Sequence, residues 1–120
     1  MPLPPGHRFP MFKYEAVREA LLADGTLAPG AVLDPPRPAW EVVERAHDRD
    51  YLRRLRFGEL DGREQRLIGL PWSPALVERA LRAAGGTLAS SGDALRSGLG
   101  VNLAGGTHHA SRGRGEGFCL

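Results

Sequence analysis

Only one stretch of this chain, Gly100–Ala104, reads as a β-strand, and a lone strand has nothing to pair its backbone with. It follows a long helical pattern. Ser73-Pro74 supplies an N-cap and a first-turn proline, Val77, Leu81, Ala84, Leu88 and Leu95 recur on one face, and Gly98 ends the run. Gly85 and Gly86 interrupt this helix at a cost of about 1 kcal/mol each relative to Ala. With Ala89 and Ser90 they make a small-residue face that another backbone could approach closely. Helix, strand, the Gly105-Gly106 turn and polar residues at the strand's carboxyl edge form the usual setting of an α/β site. The expected class is therefore α/β, with a sheet that this chain does not complete.

The first half reads as short helices between proline-rich connections. Met1–Pro10 is too rich in Pro and Gly for regular structure, and Pro10 sits where a first-turn proline is tolerated. Tyr14, Val17 and Leu21 predict a helix over Met11–Asp24, closed by Gly25. Pro29–Pro38 predicts an extended connection, and Trp40, Val43 and Ala46-His47 a further helical face. Asp48 can cap another turn or two through Tyr51, Leu52 and Leu55, whereas Phe57–Trp72 reads as a loop.

Composition narrows the function classes. A hydrophobic fraction of 42% and a charged fraction of 25% argue against disorder. Net charge is +2 and the basic residues are interleaved with Asp and Glu, so no nucleic-acid stripe is present. One cysteine, Cys119, excludes an internal disulfide and fits a reducing cytoplasm. No apolar run reaches membrane-spanning length. A cytoplasmic protein without membrane or direct nucleic-acid contact is expected.

Chemistry concentrates near the C-terminus. His108 and His109 follow Gly105-Gly106, whose freedom lets the backbone turn sharply enough to aim both rings into one pocket. Two imidazoles titrating near neutrality can share one proton, one accepting while the other stays charged. On composition alone, an adjacent pair in a loop is more often a bland surface or hydrogen-bonded pair. As metal ligands the pair is short of the three or four that zinc needs, and no familiar spacing brings in His7, His47 or Cys119. Cys119 with either histidine is formally a nucleophile and base, but a small buried thiol is the simpler reading. Arg112–Gly117 resembles a phosphate-cradling or Arg-Gly binding loop without the Walker ending, and a flexible loop at the site is the expectation.

Taken in order, the motifs are more specific than any one of them. Gly6–Met11, His47–Leu52, Ile68–Ser73, Gly85-Gly86-Thr87, Gly105–Ala110 and Gly115–Cys119 together resemble the bacterial branch of the histone deacetylase family, the acetoin-utilisation-type and acetylpolyamine-type amidohydrolases. The resemblance covers essentially the whole chain. It implies an arginase/deacetylase fold, an open parallel sheet flanked by helices with a narrow tunnel built by loops at strand ends. It also implies a zinc ion that polarises the acyl carbonyl and acidifies a bound water.

The resemblance assigns roles residue by residue. His109 matches the general base and His108 its partner, which holds charge near the developing oxyanion and leaving amine. Phe118 matches the aromatic tunnel wall, and the Gly117 carbonyl the acceptor for the substrate amide N–H. Arg8 matches an arginine lining the internal cavity through which acetate leaves. Substrates of the family are acetyl-lysine or other acetylated amines. The family's Asp-x-His and later Asp zinc ligands, its dyad-orienting aspartates and its carbonyl-polarising tyrosine have no counterpart in this sequence. The expectation is accordingly that residues 1–120 are the N-terminal portion of one catalytic domain, truncated at its C-terminus and at its N-terminus. Alone they would be inactive, marginally soluble, and would expose helix faces built to cover a sheet. The alternative is a non-catalytic remnant whose role is binding a partner. Neither the acetylated substrate nor the choice between zinc and iron is encoded here.

Overall fold

A computed structural model describes residues 1, 3–105 and 108–120. Five α-helices run in chain order: α1 (Lys13–Ala23), α2 (Trp40–Val43), α3 (Arg49–Phe57), α4 (Gly62–Ile68) and α5 (Pro74–Ser97), with a 3-10 turn at Pro29–Ala31. Several boundaries have a local cause. Ser73 Oγ accepts the Leu76 N–H at 3.1 Å and Pro74 opens α5, as its sequence predicts. Gly58, Gly69 and Gly98 end α3, α4 and α5 in the left-handed conformation. Pro10 lies ahead of α1 and not in its first turn, with its carbonyl accepting the Lys13 N–H at 3.1 Å.

The segment expected to be a loop, Phe57–Trp72, contains α4. Asp61 and Glu64 form a reciprocal capping box: the Asp61 carboxylate accepts from the N–H groups of Arg63 and Glu64, and Glu64 accepts from the Asp61 N–H. Two turns are too short for periodicity to register, but the Asp-x-x-Glu signal was legible. Asp48 stands at the N-cap of α3 without a side-chain cap bond, because its carboxylate is turned to Arg112.

The core lies where α3 and α5 meet. Tyr51, Leu52 and Leu55 pack with Leu60, Ile68, Leu70, Leu76, Val77 and Leu81, all buried. Trp72 seals one side, its indole N–H donating to the Leu55 carbonyl at 2.7 Å while its ring lies over Gly58, where a Cβ would sit 2.8 Å away. Burial stops midway along α5. Val77 and Leu81 are covered, but Leu88 and Leu95 on the same stripe are 53% and 90% exposed, and Leu99 and Val101 continue the bare face. The radius of gyration, 15.4 Å, exceeds the roughly 14 Å of a compact chain of this length. Exposed faces of this kind are what helices without a sheet should show.

The α/β expectation is not met within the described residues, which are helical with no strand. Gly100–Ala104 is irregular chain and turn. No neighbouring strand offers a ladder, so its polar groups turn to α5. Gly100 lies against the Ser90 carbonyl, at 1.9 Å from a would-be Cβ. Asn102 Nδ2 donates to the Ala83 carbonyl at 3.0 Å and to Thr87 Oγ1 at 3.1 Å, resting on Gly86. The small-residue face of α5 does receive backbone: the Pro36 carbonyl oxygen lies 1.8 Å from where a Gly85 Cβ would stand.

Candidate functional site around His109 and the Gly117-Phe118 turn

The site is a tight turn seated on the end of a short helix. Glu116 and Cys119 bridge each other through two backbone hydrogen bonds of 3.1 and 3.0 Å. Between them Gly117 and Phe118 have φ of +57° and +69°. Two successive residues in this region suit a primed hairpin turn, where Gly is at ease and Phe is strained. The strain is offset from below. The Gly117 and Phe118 N–H groups donate to the Leu67 and Ile68 carbonyls at 2.9 and 2.7 Å, so the turn satisfies carbonyls that α4 leaves open at its C-terminus.

His7 completes the platform. Its Nε2 lies 3.0 Å from the Gly69 carbonyl, and its Nδ1 accepts the Phe9 N–H at 3.1 Å, which fixes the proton on Nε2. The Phe118 ring then rests against Phe9 (centroids 5.1 Å apart) and edge-on to His7 (6.1 Å), over Gly69. Sequence reading quoted His7 within a motif without giving it this positioning role.

His109 leans on the turn from the other side. Its ring passes within 3.1 Å of the place a Gly117 Cβ would occupy, so any side chain there would displace it. Cys119, 3% exposed, sets its sulfur 3.6 Å from His109 Nδ1, 3.4 Å from the His109 backbone nitrogen and 3.7 Å from the Gly117 carbonyl oxygen. The His108 and His109 rings lie 4.1 Å apart between centroids, both exposed. Gly106 and Thr107, part of the same expected motif, lie outside the described residues. His109, Gly117, Phe118 and Cys119 thus come together, with His108 beside them.

Arg8 does not join them. Its side chain is exposed, and neither of the two cavities described is lined by it. An arginine that does border one of these cavities is Arg79. It lines a space of about 90 Å³ with Thr87, Gly105, Phe118 and Leu120, and donates to the Tyr14 hydroxyl at 2.7 Å. A second cavity, about 70 Å³, lies between α2, α3 and α5 and is lined by His47 and Tyr51. Arg112–Gly117, expected to be flexible, folds instead into two successive turns held by the Ser111–Arg114 and Glu116–Cys119 bridges.

Among the described residues no group of three His, Cys, Asp or Glu is placed to hold a metal ion. At His109 the Nδ1 atom faces the Cys119 thiol, and among the described residues no third ligand joins them. These residues alone do not fit a zinc ion.

A family model, the histone deacetylase domain, matches residues 7–120. The chain belongs to the histone deacetylase family. Membership implies the arginase/deacetylase fold, and the helices described here are consistent with a portion of it. An uncharacterized protein of Picosynechococcus is 45% identical over 119 residues, which are 99% of this chain and 40% of that protein. Acetoin utilization protein AcuC of Bacillus subtilis is 33% identical over 104 residues, 76% of this chain and 26% of that protein. Histone deacetylase 2 of Arabidopsis thaliana is 28% identical over 119 residues, 94% of this chain and 31% of that protein. The chain therefore spans well under half the length of these relatives. No helix among the described residues is long and apolar enough to cross a membrane.

Proposed function

We propose that this chain supplies the histidine dyad and one tunnel wall of a metal-dependent deacetylase that hydrolyses acetyl-lysine or a related acetylated amine. The observation that carries the reading is the juxtaposition of His109 with the Gly117-Phe118 turn, in a chain of the deacetylase family. In this reading His109 accepts a proton from the attacking water through its exposed edge, and His108 beside it holds charge as the amine leaves. Phe118 flanks the aliphatic stem of the substrate, and the Gly117 carbonyl accepts the substrate amide N–H. Arg8 as an acetate-cavity residue has no support from its exposed position. Zinc is the cofactor typical of the family, its ligands to be supplied by residues other than those described here, and a cytoplasmic location accords with the single thiol.

The test is a chimera in which this chain replaces the matched 119 residues of the Picosynechococcus protein, assayed beside that protein on an acetyl-lysine peptide and an acetylpolyamine. Zinc-dependent acetate release by the chimera is expected, falling by about 100- to 10,000-fold in His109→Ala, the usual worth of a general base. A folded chimera without activity, beside an active parent, sinks the reading. The 120-residue chain alone is expected to be inactive, and zinc-dependent turnover by it would overturn the division of labour argued here.

One observation favours a second reading, a partner-binding remnant: the bare stripe of Leu88, Leu95, Leu99 and Val101. Stable capture of a partner by the chain, lost in Leu95→Glu, together with an inactive chimera, would select it.

A further inference from the structure

Three successive carbonyls at the end of α4 are taken by groups far away in the chain. Leu67 and Ile68 receive the Gly117 and Phe118 N–H groups, and Gly69 receives the His7 Nε2–H at 3.0 Å. The N-terminal arm and the turn therefore meet on one helix end. At φ +69° the Phe118 backbone is held against its own preference, and its N–H bond to Ile68 fixes the backbone but not the ring. The ring is supported by the arm. Phe9 lies 5.1 Å from it between centroids, and His7 stands edge-on at 6.1 Å. Phe9 is backed in turn by Tyr14 at 6.2 Å and by the Lys13 and Arg79 cations, 5.0 and 5.1 Å from its centroid. In this group His7 is the member whose side chain bonds to α4, and its Nδ1 also holds the Phe9 N–H at 3.1 Å.

We infer that His7 is a positioning residue for Phe118: by bonding Gly69 and the Phe9 N–H at once, it holds the arm on the end of α4 and sets where the Phe118 ring stands. Loss of His7 frees the Phe9 backbone and removes the edge-on contact together, so two sides of the Phe118 ring lose their support. The role is exerted through Phe118 and not on the reacting atoms. Its functional meaning rests on the reading of Phe118 as the wall along the substrate stem, and on that reading His7 serves substrate binding and not proton transfer. The hold on Phe118 itself does not rest on that reading.

The experiment compares the 120-residue chain with His7→Leu, which keeps bulk without either bond, and His7→Gln, whose amide offers both a donor and an acceptor. Two NMR readouts need no activity: the Phe9–Phe118 ring contact by NOE, and hydrogen exchange of the Phe118 amide. In His7→Leu the Phe118 amide should exchange about fivefold faster, the size of one ordinary net hydrogen bond, and the ring contact should weaken. The Leu52 amide, bonded to the Asp48 carbonyl in the core, should not change, and His7→Gln should restore most of both signals. Unaltered Phe118 signals in His7→Leu overturn the inference, and so does an equal acceleration at Leu52, which marks a general loss of stability. If His7→Leu does not fold, His7→Gln decides, a retained ring contact supporting the inference and a lost one overturning it. In the chimera, His7→Leu should raise KM for the acetyl-lysine peptide about fivefold with kcat held within about twofold. A fall in kcat at constant KM overturns the binding role. An inactive chimera with the NMR changes intact would remove the wall reading and leave the hold on Phe118 standing.

Discussion

Asp48 and Arg112, 64 residues apart, hold each other through two hydrogen bonds: the Asp48 N–H donates to the Arg112 carbonyl at 2.9 Å, and the Arg112 Nε–H donates to Asp48 Oδ1 at 2.9 Å. The start of α3 is thereby tied to the loop that leads into the Gly117 turn. Their side chains are 54% and 67% exposed, which limits what the charged contact is worth. Arg112→Ala should lower stability by only about 0.2–1 kcal/mol, because the backbone bond survives. A denaturant double-mutant cycle with Asp48→Ala measures it, and a coupling well above that range would show a stronger latch than an exposed pair should make.

Two glycines should resist the smallest enlargement. At Gly85, Ala would gain about 1 kcal/mol of helix propensity but place its methyl 1.8 Å from the Pro36 carbonyl oxygen. At Gly115 the methyl would meet the Cys119 carbonyl at 2.5 Å and the Tyr51 hydroxyl at 2.9 Å. Each Ala variant should lose about 1–3 kcal/mol by urea titration. A Gly85→Ala chain as stable as the parent would mean that the Pro36 segment does not lie on α5.

Acid should loosen α4 first. The hydrogen bond from the Glu64 N–H holds the Asp61 carboxyl below its ordinary 3.8, and the Arg54 guanidinium holds Glu64 below its ordinary 4.5. Both folded values are depressed, so the folded state binds fewer protons than the unfolded one in this window. Their contribution is complete above about pH 4.5 and disappears as pH falls through the depressed folded values, which lie below 3.8 for Asp61 and below 4.5 for Glu64. Asp61→Asn keeps the cap acceptor but not the charge, and should flatten this limb of a stability–pH profile. An unchanged slope would mean that the capping box does not form.

Alkali tests Tyr51. Burial, assisted by the charge of Glu64, pushes its phenol up to about 12 from an ordinary 10.0. The folded state keeps the proton longer than the unfolded one, so stability falls as pH rises from 10.0 through about 12. Among the described residues the hydroxyl has no hydrogen-bond partner. Tyr51→Phe should therefore be at least as stable near neutrality and lose the alkaline sensitivity, read by phenolate absorbance against the parent. A loss above about 1 kcal/mol would point to a partner for the hydroxyl.

Legibility in the sequence followed the range of the forces. Ser73-Pro74, the stripe through Val77 and Leu81, and the Gly98 end of α5 are decided within one or two turns, and all could be read directly. The small face at Gly85-Gly86 was also legible, though not that Pro36 and Asn102 would occupy it. Gly100–Ala104 has a strand's composition, but a strand exists only with a neighbour, and composition does not say whether one is there. The pairing of His109 with Cys119 was weighed as metal ligands and as a nucleophile and its base. What brings them together is a turn with a phenylalanine at positive φ, docked on helix carbonyls about fifty residues earlier, and no local pattern announces that.

That docking sets an order of assembly. The Leu67 and Ile68 carbonyls are made long before the Gly117 and Phe118 N–H groups that receive them. As the chain leaves the ribosome, α4 must keep a water-facing terminus until the last of these residues emerges, and the loop then closed is long enough that its entropy is a real cost. The turn beside His109 is the clasp that shuts last, so a chain stalled before Phe118 would carry the histidines without the surface that aims them.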